Sequence, residues 1–178
     1  KHMFDLTGKV CVITGSTKGI GRAIAEQMAK AGARVVISSR DEGRCREVAG
    51  VIRDAGGEAI ALPCNIGHKD QLQALVDGAI AEWGQIDVLV CNAAVNPYFG
   101  PLRDIPDDAF QAIMQRNVQS NLWLCNMALP QMAERKDGAV IIISSIAGMR
   151  GETMLGAYGI SKAADFQLAR TLAVEWGH

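Results

Sequence analysis

The sequence predicts an α/β fold with a doubly wound parallel sheet, and three observations lead to this prediction. Short apolar runs alternate with segments of helical periodicity along the whole chain. The runs are continuously apolar, which is typical of parallel strands that are covered on both faces. A glycine-rich loop follows the first run directly. We therefore expect one domain in which right-handed crossovers give the strand order 3-2-1-4-5.

The first strand and the first helix are the clearest elements. Lys9–Thr14 is rich in β-branched residues and predicts a buried strand, and Arg22–Ala31 has apolar residues at helical spacing. Asp41 is a suitable N-cap for a second helix that ends at Ala55. The later predicted strands are Arg34–Ser39, Glu58–Cys64, Ile86–Cys91 and Ala139–Ser144. The later predicted helices are His68–Trp83, Asp107–Arg135, which Pro130 should bend, and Ala157–Gly177; Asn92–Ile105 is predicted as a loop.

The glycine-rich loop between the first strand and helix predicts a phosphate site. Gly15 allows a tight turn, Gly19 lets the backbone approach a diphosphate, and Gly21 allows the helix to pack closely on the strand. The helix N-terminus then offers free N–H groups and a positive dipole end to the anion. This context predicts a Rossmann-type, NAD(P)-binding domain. The loop residues expected in the cofactor site are Gly15, Ser16, Thr17, Lys18, Gly19, Ile20 and Gly21.

The end of the second strand indicates which dinucleotide binds. An acid there would accept a hydrogen bond from the ribose 2′-hydroxyl, but this chain has Ser38, Ser39 and Arg40, together with Lys18 in the loop. Two cations favour a 2′-phosphate, so we expect NADP(H), with Ser39 and Arg40 in the site and NAD(H) still possible. Asp41 opposes this prediction slightly, and solvated surface charges are the alternative interpretation of both cations.

Composition excludes several classes of protein. Eighteen basic and nineteen acidic residues give a net charge of -1, which argues against a nucleic-acid surface. The apolar runs are too short to span a bilayer, and there is no signal-peptide pattern, so a cytoplasmic protein is expected. The five cysteines show no CxxC spacing and are expected to be reduced core thiols. The three histidines show no metal-ligand spacing.

A tyrosine and a lysine four residues apart predict an acid/base site. On a helix that begins near Ala157, Tyr158 and Lys162 lie on the same face. A neighbouring ammonium favours the phenolate form of a phenol, which could then exchange a proton with an alcohol or an alkoxide. Ser145, at the end of an apolar strand, would hold the same substrate oxygen. Ser144 is the competing serine, but strand alternation and the spacing to Tyr158 favour Ser145.

With Thr14-Gly15-x-x-x-Gly19-Ile20-Gly21, Asn92-Ala93-Ala94, Asn117, Ser145 and Tyr158-x-x-x-Lys162 in this order, the chain resembles the short-chain dehydrogenase/reductase family. The resemblance covers Asp5–His178. It implies Tyr158 as catalytic acid/base, Lys162 as its partner and a ligand of the nicotinamide ribose, Ser145 on the carbonyl, and Asn117 in a proton relay through water. It also implies cofactor contacts at Asn65, Ile66, Asn92, Ala93 and Ala94, and a dimer or tetramer built on the last two long helices.

Two departures from the family pattern accompany the resemblance. Cys91-Asn92-Ala93-Ala94 stands where the family has Asn-Asn-Ala-Gly, and Asn65 stands where an acid is usual. Family members continue with a sixth strand, a substrate-covering loop and a seventh strand that this sequence lacks. The resemblance therefore implies a domain over residues 4–178 that is incomplete at its C-terminus. Lys1–Met3 is predicted to be a cloning remnant.

The loop Asn92–Gly100 is similar to the NADP-dependent retinol dehydrogenase/carbonyl reductase subgroup. The resemblance implies an oxidoreductase that transfers hydride between NADP(H) and a hydrophobic ketone, aldehyde or secondary alcohol. One alternative is a 3-oxoacyl thioester reductase of fatty acid synthesis, which should carry a basic docking surface. The other is a non-catalytic dinucleotide-binding module, which would not need the Ser, Tyr and Lys set.

Overall fold

Five parallel strands form the centre of the protein, in a computed structural model that describes residues 4–177. The predicted remnant Lys1–Met3 and the terminal His178 lie outside the described residues. The strands are β1 (Val10–Thr14), β2 (Arg34–Ser38), β3 (Glu58–Ala61), β4 (Val88–Cys91) and β5 (Ala139–Ile142). The helices are α1 (Gly19–Lys30), α2 (Glu42–Asp54), α3 (Lys69–Trp83), α4 (Asp107–Met114), α5 (Ser120–Arg135) and α6 (Gly156–Trp176).

The sheet has the order β3-β2-β1-β4-β5, and every neighbouring pair is parallel. The predicted doubly wound Rossmann-type fold is therefore confirmed. Because all strands run in one direction, their carboxyl ends meet at one edge of the sheet. The loops that carry the predicted site residues all begin at this edge, after β1, β2, β3, β4 and β5.

Both faces of the sheet are covered, as continuously apolar strands require. Along β1, Val12 joins a buried cluster with residues of α3 and α5, whereas Cys11 and Ile13 join a second cluster with residues of α1 and α2. All three β1 side chains are fully buried. Burial of this apolar surface, at roughly 25 cal/mol per Å², is the main term that holds the helices on the sheet.

Several element boundaries differ from the prediction. The helix α1 begins at Gly19 rather than Arg22, so the last loop glycines form its first turn. Strands β3 and β5 end earlier than predicted, although the backbone N–H groups of Leu62 and Ile143, just beyond them, still donate to the neighbouring strands. Asp41 is the N-cap of α2 as predicted, and its carboxylate accepts from the backbone N–H of Arg44.

Helical backbone runs from Asp107 to Arg135, as predicted, but it contains a π-helical turn that the sequence did not predict. This turn, Gln115–Gln119, lies between α4 and α5. Pro130 lies inside α5, and the change in hydrogen-bond pattern occurs earlier in the chain. Such π turns are frequently found at functional sites. Here the turn contains Asn117, one of the predicted site residues.

All five cysteines are buried and free, which confirms the prediction of reduced core thiols. Burial raises the pKa of the Cys11 thiol to about 12 and that of Cys64 to about 11. These thiols therefore stay protonated near neutral pH and act as small apolar groups. Between residues 4 and 177, no helix is both long enough and apolar enough to cross a membrane.

Candidate active site

The glycine loop turns sharply at the end of β1. Gly15 has a φ of +63° and Gly19 a φ of +54°, conformations that residues with a Cβ rarely adopt. A Cβ on Gly21 would lie 2.3 Å from the carbonyl oxygen of Gly15 and 2.4 Å from Nδ2 of Asn92. Only glycine at this position lets α1 approach the end of the sheet so closely.

The side chain of Asn92 ties the ends of β1 and β4 together. Its Nδ2 donates to the carbonyl oxygens of Thr14 (3.0 Å) and Gly15 (3.1 Å). The backbone N–H groups of Asn92 and Ala93 both donate to Oγ1 of Thr14 at 3.0 Å. These bonds hold the glycine loop against the loop after β4. Thr14 was not among the predicted site residues, although its hydroxyl at a strand end was the available signal.

A cleft of about 810 Å³ opens at the carboxyl edge of the sheet. Twelve of the residues predicted to bind the cofactor line it: Gly15, Thr17, Lys18, Gly19, Ile20, Ser39, Arg40, Asn65, Ile66, Asn92, Ala93 and Ala94. The cleft therefore gathers residues from four separate loops. Its lining also includes Arg44 and Arg116, which sequence reasoning missed because neither belongs to a recognisable motif.

Ser16, Gly21, Tyr158 and Lys162 were also predicted to bind the cofactor but do not line this cleft. Ser16 is fully buried; its hydroxyl donates to the carbonyl oxygen of Ile13 at 2.7 Å and accepts from the backbone N–H of Ser38 at 2.8 Å. Its own backbone N–H donates to the Ser38 carbonyl at 3.0 Å. Ser16 thus joins the ends of β1 and β2, a role that depends on contacts distant in sequence. Gly21 is buried beneath the loop.

The cationic end of the cleft lies beside the N-terminus of α2. Lys18, Arg40 and Arg44 line the cleft there, and all three are exposed. Among the residues that the structure describes, Asp41 alone brings a carboxylate to the lining. It accepts from the backbone N–H of Arg44 at 3.0 Å and lies 3.4 Å from the Arg44 guanidinium. Asp41 is therefore engaged at the helix cap and with one of the three cations.

Tyr158 and Lys162 lie on the same face of α6, as the four-residue spacing predicts. Nζ of Lys162 is 5.7 Å from the centre of the Tyr158 ring and donates to the carbonyl oxygen of Ile143 at 2.8 Å. The Lys162 side chain is only 3% exposed. Because a buried ammonium has lost its water, these contacts fix its position beneath the phenol.

The two candidate serines differ in what their hydroxyl groups do. The Ser144 hydroxyl donates to the backbone carbonyl of Lys162 at 2.7 Å and is thus committed to the protein. The Ser145 hydroxyl accepts from the backbone N–H of Ala147 at 3.2 Å, which caps the short 3₁₀ helix Ile146–Gly148. In that contact Ser145 uses an acceptor lone pair, which leaves its O–H as a donor.

Two glycines bring the Ser145 loop against α6. A Cβ on Gly148 would lie 2.7 Å from the backbone N of Ala163, and a Cβ on Gly159 would lie 2.6 Å from the carbonyl oxygen of Ala147. The backbone of the loop and the first turns of α6 are therefore in direct contact. This packing holds the loop that carries Ser145 against the turns of α6 that contain Tyr158 and Lys162.

Asn117 is fully buried in the π-helical turn and bridges two other segments. Its amide oxygen accepts from the backbone N–H of Val95 at 2.8 Å, and its Nδ2 donates to the Val95 carbonyl at 2.9 Å. Nδ2 also donates to Oγ of Ser161 at 3.1 Å. The side chain thus connects the loop after β4 with α6, and Val95 lines the cleft.

A buried carboxylate lies next to Lys162, and sequence reasoning missed it. Asp165 is 1% exposed, its Oδ1 accepts from Nδ2 of Asn121 at 3.1 Å, and its Oδ2 is 3.5 Å from Nζ of Lys162. Burial raises the pKa of the Asp165 carboxyl, while the Asn121 hydrogen bond and the Lys162 charge oppose this rise. An acid three residues after a lysine on one helix was the only signal in the sequence.

Comparisons with known proteins agree with this geometry. A family model described as short chain dehydrogenase matches residues 9–178. Dehydrogenase/reductase SDR family member 4 of Bos taurus is 37% identical over 170 residues, which are 96% of this chain and 61% of that protein. The mitochondrial SDR family member 2 of Homo sapiens is 39% identical, over 96% of this chain and 60% of that protein. The chain thus spans about three fifths of the length of these curated relatives.

Solved structures show the same similarity. A metagenomic short-chain oxidoreductase in complex with NADP superposes with a TM-score of 0.91 at 38% identity, covering 96% of this chain and 77% of that one. A 7α-hydroxysteroid dehydrogenase complexed with NADH and 7-oxo glycochenodeoxycholic acid gives 0.93 at 35% identity, covering 98% and 68%. The fold, the glycine loop and the matches along nearly the whole chain lead to one conclusion: this chain belongs to the short chain dehydrogenase family.

Proposed function

We propose that the protein is an NADP(H)-dependent oxidoreductase that interconverts a carbonyl compound and a secondary alcohol, with Tyr158 as the acid/base. The observation that carries this proposal is the placement of the buried Lys162 ammonium 5.7 Å from the Tyr158 ring, on the same helical face. A module that only binds dinucleotides has no need to bury a cation beneath a phenol. Membership of the family supports the same activity.

The residues around the cleft fit a dinucleotide. The cleft of about 810 Å³ is in the size range of cofactor sites. The N-terminus of α1 has no side-chain cap and no acid in its first turn, so its N–H groups are available to a diphosphate. Asn65, Ile66, Asn92, Ala93 and Ala94 line the same cleft, and we propose that Asn65 and Ile66 contact the adenine. When bound, the nicotinamide supplies or accepts the hydride.

The chain's own residues handle the proton. In the reductive direction, the Ser145 hydroxyl donates a hydrogen bond to the carbonyl oxygen, and the Tyr158 hydroxyl donates its proton to the same oxygen as negative charge develops there. Lys162 stabilises the phenolate that remains, and its contact with the Ile143 carbonyl keeps it in place. Asn117 supports the site by joining the Val95 loop to α6, and we propose that it takes part in proton relay to Lys162 through water.

The substrate that fits best is an apolar ketone, aldehyde or secondary alcohol. Phe99, Ile146 and Met149 are 69%, 62% and 75% exposed, and they lie on the two loops that follow β4 and β5. These loops touch, since the backbone N–H of Gly100 donates to the carbonyl of Met154 at 3.0 Å. Exposed apolar side chains on these two loops favour a substrate with a hydrophobic body. A steroid-like ketone is one such compound, given the similarity to hydroxysteroid dehydrogenases.

Homo-oligomer formation is part of the proposal. Leu122 on α5 and Ile160 and Val174 on α6 are 39%, 42% and 76% exposed, so both helices carry apolar side chains away from the sheet. Burial of such groups favours association of two copies.

The test of the proposed activity is oxidation of NADPH, and then of NADH, by the full-length protein. The acceptors are a small dicarbonyl and a hydrophobic ketone, and the reaction is followed by absorbance of the reduced nicotinamide. Turnover with NADPH that exceeds turnover with NADH supports the proposal. Tight dinucleotide binding without turnover of any carbonyl or alcohol would instead favour the non-catalytic binding module.

Replacing Arg40 with Asp is expected to shift cofactor preference towards NADH. The change removes a cation that would contact the 2′-phosphate and introduces an acid that can accept from a 2′-hydroxyl. Loss of one charge-assisted hydrogen bond costs about 1.5–3 kcal/mol, so KM for NADPH should rise by roughly ten-fold or more.

Arg46 is a matched control because it lies on the adjoining helix α2, is paired with Glu42 and does not line the cleft. Arg46→Asp should leave the ratio of the two KM values unchanged. An unchanged KM for NADPH in Arg40→Asp would show that Arg40 does not contact the 2′-phosphate.

A further inference from the structure

Asp165 is a buried acid that the proposed proton transfer does not use. Its side chain is fully buried, and that of Lys162 is 3% exposed. An isolated carboxylate in this environment would lose several kcal/mol of hydration, so a buried carboxylate is retained only with partners. The partners are the amide of Asn121 on one oxygen and the Lys162 ammonium beside the other.

The two carboxylate oxygens of Asp165 have different surroundings. Oδ1 accepts a hydrogen bond from Asn121, whereas Oδ2 has no hydrogen-bond partner among residues 4–177 and lies 3.5 Å from Nζ of Lys162. The oxygen without a hydrogen bond is therefore the one that is close to the cation. Nζ itself donates to the Ile143 carbonyl, so the ammonium lies between a fixed carbonyl and a fixed carboxylate.

Asn121 connects this ion pair to the π-helical turn. Its Nδ2 donates both to Oδ1 of Asp165 and to the backbone carbonyl of Asn117 at 2.8 Å. Asn117 in turn contacts Ser161, which neighbours Lys162 on α6. The π-helical turn and α5 are thus joined to α6, which carries Tyr158 and Lys162, by a buried polar network with Asp165 at one end.

We propose that Asp165 is a positioning residue that holds the Lys162 side chain between the Ile143 carbonyl and the Tyr158 ring. This inference rests on the proposed function for its catalytic consequence, but the ion pair itself does not depend on it. The carboxylate keeps the cation at the site when the phenol is neutral. The Asp165 carboxylate also limits how strongly Lys162 stabilises a Tyr158 phenolate, because its negative charge partly offsets the positive charge of Lys162.

The titratable groups around Asp165 are few. Lys162 lies beside it on the same helix, Cys91 on β4 interacts with it electrostatically, Cys125 on α5 contacts Cys91, and the Tyr158 ring is 5.7 Å from the Lys162 ammonium. A hydrogen bond with Cys125 and burial raise the pKa of the Cys91 thiol well above its ordinary value. The titration of Cys91 is therefore outside the pH range in which the enzyme would be assayed.

Asp165→Asn tests the catalytic consequence through the pH profile of carbonyl reduction in the full-length protein. Asp165→Asn removes a negative charge from the site, and loss of an anion favours the deprotonated form of neighbouring acid/base groups, which cannot donate a proton to substrate. The basic limb of kcat/KM should therefore move down by about one pH unit, which is a roughly ten-fold loss at a fixed pH on that limb. The acidic plateau should change little.

Asp87→Asn is the matched control, since Asp87 is 2% exposed and has Lys9 and Arg135 at 3.8 Å, but lies at the opposite edge of the sheet. It should lower stability without moving the pH profile. A basic limb that is unmoved in Asp165→Asn would overturn the proposal, because a merely structural aspartate would behave like Asp87.

A double-mutant cycle tests the ion pair without any activity measurement. Asp165→Asn, Lys162→Met and the double variant are unfolded with urea at about pH 7. If Asp165 holds Lys162, the decrease in urea midpoint of the double variant should be smaller than the sum of the decreases in the two single variants. The reason is that each single variant leaves one buried group unpaired. Additive losses would overturn the proposal even if the protein is an active reductase. Coupled losses in a protein without turnover would reject the proposed activity and retain the ion pair.

Discussion

Tyr158→Phe is expected to abolish carbonyl reduction while leaving NADPH binding nearly intact. The substitution removes one hydroxyl, and with it the proton that the substrate oxygen requires. General acid catalysis contributes ~10²–10⁴-fold, so kcat should fall by at least that factor. The ring remains, and so does its contact with the Lys162 ammonium. Turnover is measured by NADPH oxidation and binding by quenching or transfer of NADPH fluorescence.

The chain offers its own control, because it contains only one other tyrosine. The Tyr98 hydroxyl donates to the carbonyl oxygen of Pro101 at 2.9 Å, so its role is to hold the loop after β4. Tyr98→Phe should cost about 1 kcal/mol of unfolding free energy and keep kcat within a few-fold of the starting value. Retained turnover in Tyr158→Phe would remove Tyr158 from the reaction, and Ser145 would become the next candidate proton donor.

Gly21→Ala is expected to destabilise the protein and to disrupt the dinucleotide site together. The added methyl would lie 2.3 Å from the Gly15 carbonyl oxygen and 2.4 Å from Nδ2 of Asn92, neither of which can move freely. Asn92 is held by Thr14 and Gly15, and Gly15 is held in a left-handed turn. Overpacking of this kind costs about 1–3 kcal/mol of unfolding free energy. Because α1 would have to move away from the loop, NADPH affinity should fall by roughly ten-fold or more.

Gly50→Ala is the matched control, because it makes the same change from glycine to alanine at a position that is not crowded. Gly50 lies inside α2, and the atom nearest to a Cβ at this position would be Nη2 of Arg53, at 4.0 Å. Since alanine favours a helix interior by up to ~1 kcal/mol over glycine, this variant should be slightly more stable and bind NADPH normally. Both variants are compared by urea unfolding and by NADPH titration. Equal stability and equal NADPH affinity in Gly21→Ala would contradict the close packing of α1 on Asn92.

The positions of helices and strands followed closely from the sequence where local patterns decide them. Continuous apolar runs predicted buried parallel strands, and Asp41 predicted the start of α2. Likewise, a four-residue spacing was sufficient to place Tyr158 and Lys162 on one helical face. The π-helical turn at Gln115–Gln119 was not predicted, because its residues have ordinary helical propensity and its geometry depends on what Asn117 and Asn121 contact.

Among the predicted cofactor residues, too, some features follow from the local sequence and others depend on tertiary contacts. Glycines with positive φ follow from the chain's local chemistry, and Gly15 and Gly19 have that conformation. Ser16 is equivalent to its loop neighbours in sequence pattern, yet it is buried and bonded to Ile13 and Ser38. Arg44 and Arg116 lie on the wall of the cleft, although nothing in their local sequence marks them. Which side of a loop faces the cleft is decided by the elements that pack against it.

Family membership, the parallel sheet and the motif residues could all be deduced from the order of amino acids, since they depend on periodicity, on glycine's conformational freedom and on short spacings along one element. Three other features required the folded chain: what the hydroxyl groups of Ser144 and Ser145 contact, which loop residues reach the cleft, and which acid accompanies Lys162. They depend on contacts between residues far apart in the chain, such as Ser144 with Lys162 and Asn121 with Asp165. A buried polar group must satisfy its hydrogen bonds with whatever the fold brings near, and no local pattern encodes that neighbourhood.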